Sequence, residues 1–245
     1  MPHHSARRPR WLIPSLIVAV ATLLVVLSLS LGANSPSTGP APGAGDRATD
    51  GATAVTEPQE QPRIDLARRL DGDPLAVGPV DAPVTLVVYS DYQCIYCASW
   101  SSTTQPAMLE RVESGDLRIE FRDIAIFGAD SLRAAQAATA AGLQGSYLDF
   151  HEALFAGGEK RSAAGLSEES LIALAGELGL DVDRFTTDLR SAEVAARVQT
   201  DLDEASSIGV YSTPAFLMSG EPLVGAMPTE TFVEAFDRAL ARVEG

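Results

Sequence analysis

The chain's two cysteines, Cys94 and Cys97, are separated by two residues, and their placement constrains the fold more than any other feature. They follow Val84–Ser90 (VTLVVYS), a β-branched apolar run bounded by Pro83 and Asp91 that reads as a buried strand. Asp91 to Gln93 make a brief turn, and the residues from Cys94 to about Glu113 suit a helix. Leu117 to Ile124 (LRIEFRDI) then alternates Leu117, Ile119 and Phe121 with polar neighbours, which reads as a second strand. Strand, helix, strand is the unit of a parallel α/β sheet, so the cysteine pair opens the helix of a β-α-β unit.

At a helix start, unpaired backbone N–H groups and the positive dipole end favour a thiolate, the species that attacks disulfides. One helical turn separates the two sulfurs, so the second can close a ring with the first without large backbone movement. Cys94, nearer the turn, is the expected exposed nucleophile, and Cys97 the resolving thiol. A purely structural disulfide over so short a loop removes little unfolded-state entropy. A zinc site lacks ligands, because His3 and His4 precede an apolar stretch and leave His151 alone with two cysteines. A serine triad would also have to rest on His151, and Lys160 is the single lysine. Redox chemistry is therefore favoured over the structural and metal readings, with no metal and no cofactor expected.

The second signal is Thr213-Pro214, preceded by Gly209-Val210-Tyr211-Ser212 and followed by the strand candidate Ala215 to Met218. Proline is tolerated as the first residue of a strand. Taken with Ala82-Pro83 and Tyr89-Ser90-Asp91-Tyr92-Gln93-Cys94-Ile95-Tyr96-Cys97, with Phe216, and with Gly225-Ala226 downstream, this segment gives the chain its family likeness. Over roughly residues 75 to 243 the chain resembles the DsbA-like thiol:disulfide oxidoreductases of the thioredoxin fold, in particular membrane-tethered envelope members. The resemblance implies that Cys94 and Cys97 form a redox disulfide and that Pro214 is cis and faces the pair. It also implies that Thr213 lends its backbone to an extended substrate. Implied partners are reduced exported proteins as substrates and a quinone-linked membrane reoxidase of the DsbB or vitamin K epoxide reductase-like type. The chain departs from the strongly oxidising relatives in having Ile95-Tyr96 where they place proline and histidine. Without that imidazole one source of thiolate stabilisation is missing, which points to a less oxidising potential. Ile95, Tyr96 and Asp91 are the expected tuning residues, Tyr96 as a substitute hydrogen-bond donor and Asp91 as a helix cap in preference to a proton acceptor.

Beyond the second strand the pattern is helical: Asp130 to Gln144, Tyr147 to Phe155, Ser167 to Leu178, Val182 to Leu189 and Ala192 to Ser207. Strand character returns at Ala215 to Met218 and Pro222 to Ala226, joined by a turn at Ser219-Gly220, before an amphipathic helix from about Thr229 to Val243. The expected fold is α/β and thioredoxin-like, with an all-helical insertion at about 129–207 between the second strand and the Pro214 strand. Glu120 and Asp123 beside Arg122 read as solvated or salt-bridged. His151 reads as a surface or boundary residue, and Trp100 as a core or rim residue.

Trp11 to Ala33 carries no charge and is long enough to cross the ~30 Å hydrocarbon core as a helix. Arg7, Arg8 and Arg10 precede it, so by the positive-inside rule residues 1–10 stay cytoplasmic and the rest is exported. A transmembrane anchor over 11–33 is favoured over a cleaved signal peptide. Residues 34–63 are rich in Pro, Gly, Ala, Ser and Thr and read as a disordered tether to a domain over 64–245, whose first residues (IDLARRL) suit a short amphipathic segment. All 33 acidic residues lie at or after Asp46, and the net charge is -15. Nucleic-acid binding, which needs a positive field, is excluded as a leading reading. The expected function is disulfide formation in exported proteins at the cell membrane, ahead of a disulfide reductase or isomerase and of a thioredoxin-like binding or chaperone module.

Overall fold

The computed structural model describes residues 63–245, so the apolar run at 11–33 and all of the tether except Arg63 lie outside the described residues. Among the described residues no helix is long and apolar enough to cross a membrane. In chain order the elements are β1 (Ala76–Val77), β2 (Val84–Ser90), α1 (Ile95–Thr103), α2 (Gln105–Glu113) and β3 (Leu117–Asp123). Five helices follow: α3 (Ala129–Gly142), α4 (Tyr147–Leu154), α5 (Glu168–Glu177), α6 (Val182–Leu189) and α7 (Ala192–Ser207). The chain ends in β4 (Ala215–Met218), β5 (Glu221–Val224) and α8 (Thr229–Glu244).

The sheet has the order β1-β3-β2-β4-β5, with β2 and β3 parallel and the other pairs antiparallel. Central β2 is buried along its whole length, as an uninterrupted apolar run should be when both faces are covered. On one face Leu86 and Val88 join Ile119, Phe121 and Phe216 in the main core, and on the other Val87 and Tyr89 pack with Ala215 and Leu217. The fold is the expected thioredoxin-like α/β sheet carrying an all-helical insertion, α3 to α7. Three insertion helices start where side chains satisfy otherwise unpaired N–H groups: Ser167, Asp181 and Ser191 accept from the backbone of Ser170, Arg184 and Val194.

The helix expected to run unbroken to Glu113 stops at Thr104 and restarts as α2 with Pro106 in its first turn. Proline has no N–H to give and its ring clashes with the preceding turn, so it is stable at a helix start and breaks a helix interior. The edge strand β1 is too short to show a period, and β5 begins one residue before the expected Pro222 and ends at Val224.

The IDLARRL segment, expected as a short amphipathic segment, forms an irregular strap over the polar face of β3. Glu120 accepts from the backbone N–H groups of Arg68 and Arg69, both at 2.8 Å, and Arg122 and Arg118 donate to the carbonyls of Leu66 and Leu70. Arg118, Glu120 and Arg122 are therefore buried, not solvated. Glu120 pairs with both arginines at 2.9 Å, and Arg122 also reaches Glu204 on α7 at 3.0 Å.

Candidate redox site

Cys94 occupies the N-cap of α1 in an extended conformation. Its N–H donates to the Asp91 carbonyl at 3.0 Å, closing the turn, and its own carbonyl accepts from Ala98 at 3.2 Å, starting the helix. Ile95 and Tyr96 stand exposed on the first turn, and Cys97 points inward. Both cysteines are free thiols in this structure.

The antiparallel register of β4 on β2 sets Ala215 opposite Tyr89, which brings the start of β4 to the end of β2 where the chain turns toward Cys94. The Thr213–Pro214 bond there is cis. In its thiol form Cys94 Sγ donates to the Thr213 carbonyl at 3.2 Å. Cys94 is consequently only 5% exposed, so the sulfur expected at the open surface lies under the Thr213 backbone instead.

The two thiols are unequal. The Cys97 thiol, donating to the Cys94 sulfur, does most to bring Cys94 down to about 6, against a penalty from burial. The Thr213 side chain and the backbone N–H groups of Cys97 and Tyr96 add to the effect. Burial, reinforced by the neighbouring Cys94 sulfur, pushes Cys97 far up. The Thr213 hydroxyl is buried and has no hydrogen-bond acceptor, so it is free to turn to a Cys94 thiolate. The arrangement provides one low-pKa sulfur, one sulfur that holds its proton, and a backbone edge beside the first.

The other expected tuning residues fall differently. Asp91 does not cap α1, because its fully buried carboxylate is taken up elsewhere. Oδ1 accepts from the Gln93 N–H at 2.7 Å and the Ser131 hydroxyl at 2.6 Å, and Oδ2 from the N–H groups of Ile126 and Phe127. Asp91 thus ties the cysteine turn to the loop after β3 and to the first turn of the insertion. Tyr96 acts through its backbone N–H, with its side chain turned to solvent. Trp100 is a core residue, packed against Phe216 and Phe232.

His151, expected near the surface, is 1% exposed. Its helix face packs on the cysteine turn rather than on water: Nδ1 lies 3.0 Å from the Tyr92 hydroxyl, and Nε2 lies 3.2 Å from Gln105 Oε1 and 3.3 Å from Ser101 Oγ. Tyr92 and Tyr147 both donate to Asp123, at 2.9 and 3.0 Å. Unlike its neighbour Arg122, Asp123 is surrounded by hydroxyls, and burial drives its carboxyl up to about 7. Burial holds the His151 imidazole down at about 3, so it is neutral. Sequence reasoning missed this cluster, although the alternation of β3 puts Asp123 on the same face as Leu117, Ile119 and Phe121. An acid closing an apolar row was the available signal. Among the described residues no group of three or more His, Cys, Asp or Glu is placed to hold a metal ion.

The sheet order, the helix-start thiol pair and the Thr213–Pro214 backbone beside it define a thioredoxin-fold domain with a paired-thiol site. A family model described as Thioredoxin matches residues 71–238, and the chain belongs to that family. The solved thiol-disulfide exchange protein alpha-DsbA2 from Wolbachia pipientis superposes with a TM-score of 0.58 at 23% identity, over 66% of this chain and 85% of that one. The chain is 29% identical to the probable disulfide bond formation protein D of Bacillus anthracis, over 59% of this chain and 69% of the relative. It is also 38% identical to the Na(+)/H(+) antiporter NhaA of Herminiimonas arsenicoxydans, over 72% of this chain but 26% of the antiporter. The chain thus spans about a quarter of the length of that relative.

Proposed function

We propose that this chain oxidises the cysteines of exported proteins through a disulfide between Cys94 and Cys97. The observation that carries the reading is the unequal thiol pair, with the low-pKa sulfur of Cys94 set 3.2 Å from the Thr213 carbonyl. A substrate thiolate attacks Cys94 Sγ, and the S–S bond breaks with Cys97 leaving as the anion, which takes up a proton. A second substrate thiolate then attacks the mixed disulfide and expels Cys94 as a thiolate. Cys94 is a good leaving group because of its depressed pKa, and the same stabilisation of the reduced form makes the disulfide a stronger oxidant. An extended substrate would lie beside Thr213 and Pro214, with exposed Ile95, Tyr96, Phe127 and Tyr211 offering apolar contacts that suit an unfolded segment. The name of the Bacillus anthracis relative, a probable disulfide bond formation protein, supports this direction.

The placement proposed for the chain is extracytoplasmic, anchored by residues 11–33, with a quinone-linked reoxidase in the same membrane. A tether shared with such a partner would raise its effective concentration. The second reading is an envelope reductase or isomerase, favoured by Ile95-Tyr96, which supplies no imidazole beside the thiolate. Equilibration of the protein against glutathione separates them. An oxidant has a potential well above the about -270 mV of reducing thioredoxins and approaches the about -120 mV of strong oxidants. A value at or below the reducing figure overturns the oxidase reading in favour of the second.

A further inference from the structure

The buried cluster behind the cysteine helix admits two hydrogen-bond schemes that differ by one proton. The Tyr92 hydroxyl lies within hydrogen-bond reach of both Asp123 Oδ2, at 2.9 Å, and His151 Nδ1, at 3.0 Å, and has one proton to give. If Asp123 is ionised, Tyr92 and Tyr147 both donate to it. His151 must then carry its proton on Nδ1 and donate to Tyr92, leaving Nε2 bare toward Gln105. If Asp123 is protonated, it donates to the Tyr92 oxygen and Tyr92 donates to Nδ1. His151 then carries its proton on Nε2 and donates to Gln105 Oε1, 3.2 Å away.

The Gln105 amide suits both states. Its nitrogen is buried without a partner, and turning the amide over would present that N–H to a bare His151 Nε2. Each state satisfies the ring, both tyrosines and the carboxyl, and the two differ by one proton on Asp123. A buried polar network with two such hydrogen-bond schemes can take up or release a proton without orphaning the ring, the tyrosines or the carboxyl.

The cluster also borders the redox pair on two sides. Tyr92 lies in the turn that the Cys94 N–H closes by donating to the Asp91 carbonyl at 3.0 Å. Ser101, one helical turn beyond Cys97, lies 3.3 Å from His151 Nε2. The groups facing Asp123 are Tyr92 and Asp91 from the turn and Tyr147 and His151 from α4. Asp201 on α7 adds a further negative charge that opposes its ionisation. Arg122, its neighbour in sequence, belongs to the opposite face of the sheet with Glu120 and Glu204. Reduction adds a thiolate to this anionic surrounding, which raises the affinity of the carboxyl for a proton.

We propose that Asp123 gains a proton when the Cys94–Cys97 disulfide is opened and loses it when the disulfide closes, with Tyr92, Tyr147, His151 and Gln105 re-pairing around it. This rests on the redox reading of the pair but not on its direction. The balance is complete: two electrons enter the disulfide and the S–S bond breaks. Of the two protons released by the reducing dithiol, one goes to Cys97 Sγ and the other to the Asp123 carboxylate, where otherwise it would pass to water. Asp123 is a positioning and proton-holding residue, remote from the substrate.

The test is redox-difference infrared spectroscopy on the full-length chain at neutral pH, with dithiothreitol as reductant and isotope-labelled aspartate to assign the carbonyl band. Acid release is measured in parallel with a pH dye. Opening the disulfide is expected to produce a protonated-carboxyl band that Asp123→Asn lacks, and to release less acid per disulfide in the wild-type chain than in that variant. Tyr147→Phe, which removes a donor to the ionised form, should keep the band and move its midpoint to higher pH. A disulfide that opens with no carboxyl band and equal acid release in all three proteins overturns this inference alone. A pair that neither closes nor opens overturns it together with the redox reading.

Discussion

Thr213 shows how much of the site depends on single atoms. Its carbonyl accepts from the Cys94 thiol, and its buried hydroxyl has no acceptor until that thiol ionises. Thr213→Val keeps the shape and removes the donor. A hydrogen bond to a charged group contributes about 1.5–3 kcal/mol, so the Cys94 pKa should rise by about one unit or more, read from thiolate ultraviolet absorbance against pH. Linkage adds a second expectation. The unfolded thiol titrates near about 8.5, and in the folded dithiol Cys94 titrates at about 6. Between these values the folded form has lost a proton that the unfolded form retains, so this contribution to stability is fully present above the upper value. It is lost as the pH falls through the lower one. The dithiol form should therefore gain stability relative to the disulfide form as pH rises from 6 to about 8.5, as calorimetry of the two forms at several pH values would show. A difference that stays flat or shrinks contradicts the assignment of the low pKa to Cys94.

Cys94, Cys97, Thr213 and Pro214 were legible because a cysteine pair at a strand-to-helix junction and a strand-initial proline are local patterns. The partners of Asp91, Asp123 and His151 were not. Their hydrogen bonds join residues far apart in sequence, and no periodicity tells which polar side of an amphipathic helix meets another polar group instead of water. His151 lies on such a side, facing Tyr92.

At the scale of elements, chemistry written along the chain predicts most boundaries. β2, α6, α7 and β4 occupy the expected residues because β-branched runs and Ser or Asp caps are read directly from sequence. The break at Thr104 was knowable from Pro106. The strap over β3 was not, because what holds residues 66–70 is the set of side chains Arg118, Glu120 and Arg122, not any pattern of their own. Glu120→Ala leaves buried guanidinium groups without their carboxylate and should cost about 3–5 kcal/mol in urea unfolding at pH 7. The Glu120 carboxyl, desolvated yet accepting from Arg118, Arg122 and the strap backbone, is held down at about 2. Its contribution is complete above the unfolded carboxylate range and lost as pH falls toward 2, so the gap between wild type and Glu120→Gln should narrow at pH 3 relative to pH 7. A gap that is unchanged with pH means the strap is held by something other than the ionised carboxylate.

At the scale of the whole molecule, the sheet sets the end of β2, the start of β4 and the first turn of α1 side by side, and α3 to α7 are inserted between the two halves of the site in sequence. The central claim is that Cys94 exchanges disulfides while Cys97 resolves. Mass spectrometry of single-cysteine variants incubated with a disulfide-bonded peptide tests it most directly. Cys97→Ser, which keeps the Cys94 sulfur and puts a hydroxyl in place of the resolving thiol, should accumulate a mixed disulfide on Cys94. Cys94→Ser, left with the buried high-pKa thiol, should accumulate almost none. Equal trapping by the two variants, or trapping by neither, contradicts the account.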